Sequence, residues 1–389
     1  MLRMQRVIAA IVTTAAAAAP LAAQGKPESA GFLVRLGSDT LAAEQFVRTD
    51  RRLESEVAVR TPVARRLHYV AALDSAGRVE RFDMTMRPLA AGGPPPTKAS
   101  VVFGADTANV TLTRGDSTQH LRVAAPRGAM PMIAFSHALM EQAVRQARRS
   151  GGDSVVFAWV LLGNSDAQPS FVARRGKDSV DVGFFGDPMH VKTDSRGRLL
   201  GLDGSATTQK VVVTRAKKVN VGAWATEFAQ AEAAQGPMGQ LSPRDTVRAQ
   251  LGGANLLVDY GRPHKRGREI WGRLVPYGQV WRTGANAATQ FSTDSDLRIG
   301  DAAIPKGTYT LWTIPTNTGG MLIVNAQTGQ WGTEYDAGRD VARVPLAREA
   351  LGALVEQFTI ALERRGAGGV LRLSWDSTSY NVPIIGGAQ

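Results

Sequence analysis

From Gly31 to Pro88 the chain reads GFLVRLGSDTLAAEQFVRTDRRLESEVAVRTPVARRLHYVAALDSAGRVERFDMTMRP, with apolar and polar residues alternating between turns at LGSD, RTDRR and DSAGR. That alternation limits the fold more than any other feature. A strand sends successive side chains to opposite faces, so a period of two gathers the apolar set on one side, whereas a helix would scatter it around its axis. Antiparallel strands with one solvated face are the expected result. AAGGPPPTKAS then reads as a loop, since proline cannot donate to a ladder. Alternation resumes in KASVVFGADTANVTLTRGDSTQHLRVA and again from Val155 to about Arg215.

One segment breaks the period. PMIAFSHALMEQAVRQARRSGG spaces Phe135, Leu139 and Ala143 four apart, pairs Met140 with Val144, and ends in arginines and Gly151-Gly152. This predicts a helix near residues 133–149, its basic end suited to the helix dipole. The first domain, residues 25–232, is therefore expected to be an antiparallel meander, an open half-barrel carrying one helix. VNVGAWATEFAQAEAAQGPMGQLSPRD holds a short helical signal at Trp224 and Phe228, and the Gly/Pro/Gln-rich stretch after it places a linker at residues 233–240.

Beyond residue 240 the composition shifts, with five of the seven tryptophans, at 271, 281, 312, 331 and 375. Many short strands separated by Gly-rich turns predict a second, mainly β domain at residues 241–389, a β-sandwich or small barrel. PLAREALGALVEQF is left open to a helical turn or more. With 389 residues, two domains of this size can each bury a core.

MLRMQRVIAAIVTTAAAAAPLAAQ combines two arginines, an apolar run from Val7 to about Ala19 and a small-residue end, the pattern of a secretory signal over residues 1–24. We expect export to the periplasm or beyond, and no integral membrane span in the mature chain. The chain has no cysteine, which excludes disulfides, thiolate metal sites and a cysteine nucleophile. The formal charge of +12 falls by two when Arg3 and Arg6 leave with the signal. The positive charge is spread along the chain, so a solubilising surface is the plain reading, and nucleic acid is not an expected partner.

Chemistry-bearing motifs are scarce. The histidines at 68, 120, 137, 190 and 264 show no metal-ligand spacing, and a structural or surface role is expected for each. DSDLRIGD lacks the glycine and final Glu of a calcium loop and reads as a hairpin turn. No nucleophile elbow, Walker loop or dinucleotide fingerprint occurs, and neither a cofactor nor a metal is expected.

One stretch remains, RPHKRGREIWGRLVPYGQVWRTGAN, from Arg262 to Asn286: six basic residues, three large aromatics, four glycines and a single acid, Glu269. Six cations cannot all be buried without partners. A guanidinium held against an indole makes a preorganised clamp for carboxylate, sulfate or phosphate. A plain structural loop, with arginines bonded to acids or carbonyls, accounts for the same residues. The candidate ligand-binding set is Tyr260, Arg262, Arg268, Trp281, Arg282 and Asn286, while Lys265, Arg266 and Arg273 are expected at the solvated surface. The favoured reading is a non-catalytic envelope protein binding an anionic small molecule, glycan or peptide. The alternatives are a hydrolase of envelope or extracellular material with His264 as general base, and a structural or lipid-carrier-like protein.

The ordered elements SPR, YGRP, GREIWG, LVPYGQVWRTGAN, PKGTYTLWTIP, WGTEYD, RDVARV and LSWD resemble the exported bacterial family known only as domain of unknown function 2911, over about residues 241–385. The resemblance implies a β-rich fold and export, and no reaction. Two positions depart from it: His264 stands where the family tends to a small polar residue, and Ala287 follows GAN where an acid is common. The first domain carries no such resemblance, and its likeness to lipid or lipoprotein carriers is one of pattern alone.

Overall fold

Each alternating run of the first domain forms a strand. In Glu28–Leu36, Ala30, Phe32, Val34 and Leu36 are buried while Arg35 is exposed; in Arg65–Leu73 the buried set is Leu67, Tyr69, Ala71 and Leu73. The computed structural model describes residues 26–184, 187–204 and 210–386; the expected signal at 1–24 lies outside them. Fifteen described strands make one sheet. It consists of two meanders, from Glu28–Leu36 to Ser117–Ala124 and from Met130–Met132 to Val212–Ala216. The first strand joins them by pairing antiparallel with the last, Gly31 opposite Ala216 and Arg35 opposite Val212. Met130–Met132 alone runs parallel to its neighbour, Ser154–Leu161. The sheet does not close.

Helix α1 (His137–Ser150) lies within the second meander, between Met130–Met132 and Ser154–Leu161, and packs Leu139, Met140, Ala143 and Val144 into the core with Phe32, Phe46 and Phe82. Each large apolar side chain buried there contributes about 1.5–3 kcal/mol. The helix begins four residues later than the spacing predicts. Met130–Met132 is taken up by the sheet, Phe135 adopts φ 65, and Ser136 caps the helix by accepting from the Leu139 N–H at 3.4 Å. At the other end Gly151, φ 79, terminates it.

Two buried acids hold α1 to the sheet. Glu44 accepts the N–H groups of His137 (2.7 Å) and Ala138 (3.0 Å) and the hydroxyls of Ser136 (2.8 Å), Ser55 (2.9 Å) and Tyr69 (3.1 Å). A carboxylate thus meets the positive end of the helix dipole. Burial raises its pKa, against these hydrogen bonds. Glu141 pairs with Arg48, Arg215 and Arg145, and Glu28 bridges Arg145 (2.6 Å) and Arg215 (2.7 Å). Arg48 and Arg215 also lie over the rings of Phe46 and Phe32.

Helix α2 (Val221–Gln235) packs Val221, Ala225 and Phe228 against Ala43, Ala58 and Ala64. It extends into the expected linker, so the irregular connection begins only at Gly236. That connection is tied to the meander by Gly239 N–H to the Pro62 carbonyl and by the Thr61 hydroxyl to the Gly239 carbonyl, both 2.8 Å.

The second domain is a nine-stranded sheet from Arg244–Leu251 to Ala302–Ile304 that wraps a core of Leu256, Val258, Phe291, Leu311, Phe358 and Trp375, and it too is open. PLAREALGALVEQF is strand: it belongs to Asp340–Arg365, which pairs with Gly319–Asn325 on one side and Gly368–Gly386 on the other. DSDLRIGD enters the Leu297–Ile299 and Ala302–Ile304 hairpin.

The two sheets touch through the arginine-rich loop. Arg266 pairs with Asp39, and its carbonyl accepts the Ser38 N–H at 3.0 Å. Gly37 has φ +60, and a Cβ there would sit 2.0 Å from the Arg266 carbonyl oxygen, so this approach requires glycine.

Candidate functional site

Between the helix-bearing face of the meander and the loop of the second domain lies a cleft of about 1230 Å³. Its size follows from the elements around it. Helix α1, Met130–Met132, the turn between them and Ser154–Leu161 supply Met132, Phe135, Leu139, Met140 and Trp159, while the loop supplies Arg268, Trp281, Arg282 and Asn286. Trp331 and Trp375 complete the second wall. Among the described residues the charged groups lining the cleft are Arg65, Lys210, Arg268, Arg282 and Glu334: four cations against one acid.

The loop is held by its aromatics. Trp281 stacks on Trp375 at 6.0 Å and meets Trp271 edge-on at 5.8 Å. The Trp271 indole N–H donates to the Trp375 carbonyl at 3.0 Å, and the Trp281 backbone exchanges two 2.8 Å bonds with Thr313. The indoles therefore pack on each other, and the cation–π contacts among the described residues lie in the first domain.

The six candidate residues divide. Arg268, Trp281, Arg282 and Asn286 line the cleft. Tyr260 and Arg262 do not. Tyr260 is buried, its hydroxyl accepting the Ile360 N–H at 2.9 Å. Arg262 spends its fork on Asp245 (2.8 Å), Thr359 Oγ1 (3.0 Å) and the Phe358 carbonyl (3.2 Å). Both pin the loop to the Asp340–Arg365 strand. Arg268 donates to the carbonyls of Lys265 (2.8 Å) and His264, and burial, reinforced by Arg266, lowers its pKa to about 10, still cationic at neutral pH. Arg282 donates to the Gly332 carbonyl at 3.3 Å, and Asn286, φ 63, sits exposed at the rim.

Two cations expected at the surface are internal. Lys265 bonds Asp376 (2.8 Å) and the Arg268 carbonyl (2.7 Å), and Arg266 forms the contact between the sheets. Their acidic partners lie more than 100 residues away in sequence, so local charge counting cannot find them.

His264 lies in a separate polar cavity of about 280 Å³ with Asp39, Arg60, Glu232 and Arg266. Burial, then Arg266, lowers its pKa, which favours the neutral ring and makes it a weaker base than a free imidazole. No serine, threonine or tyrosine is among the described residues lining that cavity.

Arg65, which carries no sequence motif, is a further cation of the cleft. It opens the strand Arg65–Leu73, lines the cleft and is partly buried, and its guanidinium has no hydrogen bond or ion pair among the described residues. Burial lowers its pKa, as expected for a desolvated cation without an acid beside it.

No curated protein matches the chain. Among solved structures, a DUF1089 family protein from Pseudomonas aeruginosa is similar at 13% identity and TM-score 0.31, covering 43% of this chain and 92% of its own. A protein assigned as AttH from Nitrosomonas europaea overlaps 92% of each chain at 10% identity and TM-score 0.12. Residues 242–384, the second sheet with its arginine-rich loop, match the model of the family described as Protein of unknown function (DUF2911), and the N-terminal region matches no family model.

Proposed function

We propose that this chain is an exported binding protein that holds an amphipathic anion between its two sheets. The apolar body lies against Phe135, Leu139, Met140 and Trp159, and the acidic head is met by Arg65, with Arg268 and Arg282 across the cleft. The observation carrying this reading is the lining itself: an apolar wall on one side and a four-to-one excess of cations among its charged groups. An apolar body is favoured because the larger part of the lining surface is apolar, although Gln168, Ser170, Gln240 and Ser242 also border the cleft. The volume also exceeds the roughly 300–1,000 Å³ of ordinary small-molecule sites, as suits a long-chain ligand. Export is inferred from the arginine-plus-apolar start of the sequence.

Equilibrium binding of myristate, tetradecyl phosphate, tetradecanol and acetate to the purified mature chain tests the reading. The two long-chain anions are expected to bind at least tenfold tighter than tetradecanol, since charge-assisted hydrogen bonds contribute about 1.5–3 kcal/mol. Acetate is expected to be weakest, having no apolar area to bury. Equal affinity for acetate and myristate, or binding of none of the four, would overturn it.

A further inference from the structure

His137 is the first residue of α1, is buried, and lines the cleft. Its Nδ1 lies 3.1 Å from the Phe135 carbonyl oxygen. A carbonyl can only accept, so Nδ1 carries the proton, and in a neutral ring Nε2 is then a bare acceptor. The ring is neutral because burial lowers its pKa to about 4 and because it stands at the positive end of a helix. The nearby acid, Glu44, is already occupied by two backbone N–H groups and three hydroxyls.

Nε2 has no partner among the described residues and is not sealed from solvent, and His137 lines the cleft. Phe32, 5.9 Å away, holds the ring in place. The carbonyl that fixes the tautomer belongs to Phe135, a bulky residue at φ 65, where side chains are strained. Strain of this kind is kept where the surrounding structure imposes it, often at ligand sites. Once a ligand fills the cleft and displaces water, an acceptor left without a donor is costly, so a ligand that brings a donor to Nε2 is favoured over one that does not.

We propose, resting on the reading of the cleft as a ligand site, that its preferred ligand is a hydroxylated long-chain acid whose hydroxyl donates to His137 Nε2. His137 then reads the chain, while Arg65 reads the head. A hydroxyl-bonding site discriminates against the analogue lacking the hydroxyl, because the acceptor would otherwise stay unpaired.

The test compares 2- and 3-hydroxymyristate with myristate, and 12-hydroxystearate with stearate, on wild type, His137→Phe and His137→Gln. At least one hydroxy acid is expected to bind wild type about tenfold tighter than its parent. His137→Phe should abolish that preference, and His137→Gln, which keeps an acceptor, should retain part of it. Because either variant could misfold, nitrogen-15 NMR of labelled histidine in the wild-type protein provides an independent reading: one buried histidine with Nδ1 protonated and Nε2 bare at neutral pH, the Nε2 signal moving when the hydroxy acid binds. Parent and hydroxy acids binding equally well would overturn the hydroxyl assignment and leave the cleft reading intact. A protonated Nε2 in the free protein would overturn it as well. Failure of every long-chain acid to bind would remove both readings together.

Discussion

Arg65→Met is expected to make the protein more stable and worse at binding. Arg65 is a partly buried cation with no acid or carbonyl partner among the described residues, so folding removes hydration from its guanidinium without replacing the lost bonds. Methionine keeps the apolar stem that packs along the strand and removes the charged head. For a group that still reaches the open cleft, most of the full desolvation penalty is avoided, and a gain of about 1 kcal/mol is the reasonable size. In a domain of this length that is a rise in Tm of about 2–4 °C. The same change removes the charge-assisted contact to the ligand head and should raise the Kd for myristate by about tenfold or more while leaving tetradecanol unaffected. Differential scanning calorimetry gives the first quantity and equilibrium titration the second. A loss of stability would mean that Arg65 has a structural partner in the folded chain. An unchanged Kd for myristate would mean that its head group lies elsewhere. Either result refutes the reasoning.

Arg262→Ala should cost about 1–3 kcal/mol in urea unfolding, because Asp245, Thr359 and the Phe358 carbonyl lose their donor, yet leave myristate affinity unchanged; a specific loss of binding would return Arg262 to the site. Gly37→Ala places a Cβ against the Arg266 carbonyl and should speed limited proteolysis of residues 236–243, whereas unchanged cleavage would show that the sheets are not held there. Stability should fall as pH drops from 6.5 to about 4: His137 is buried neutral and the unfolded chain takes up its proton first, a contribution reaching about 3 kcal/mol at ~1.4 kcal/mol per pH unit. His137→Gln should flatten that slope in calorimetry, and a slope equal to wild type would locate the titrating group elsewhere.

The strands were legible because burial follows the period of two, as Leu67, Tyr69, Ala71 and Leu73 show. PLAREALGALVEQF was ambiguous because Leu346, Ala350 and Leu354 recur at helical spacing, and only pairing with strands on both sides settles it. The loop was legible as a unit, but the roles of its arginines were not. Arg262 and Arg268 look alike in sequence, and what separates them is Asp245 on a neighbouring strand and the cleft on the other side. Arg65 and His137 carried no motif. Arg65 sits in a routine alternating strand and His137 on a helix face, and each gains its meaning from the wall that the other domain places opposite.

The central claim is that an acidic long-chain ligand fills the cleft between the sheets. Diffraction from crystals grown with 16-bromohexadecanoate tests it directly, since the bromine's anomalous signal marks the chain end. The account predicts a bromine peak within the cleft beside the Met140 and Trp159 wall, with the carboxylate in hydrogen-bond reach of Arg65. Bromine found only on the outer surface, with no ligand density between the sheets, would contradict it.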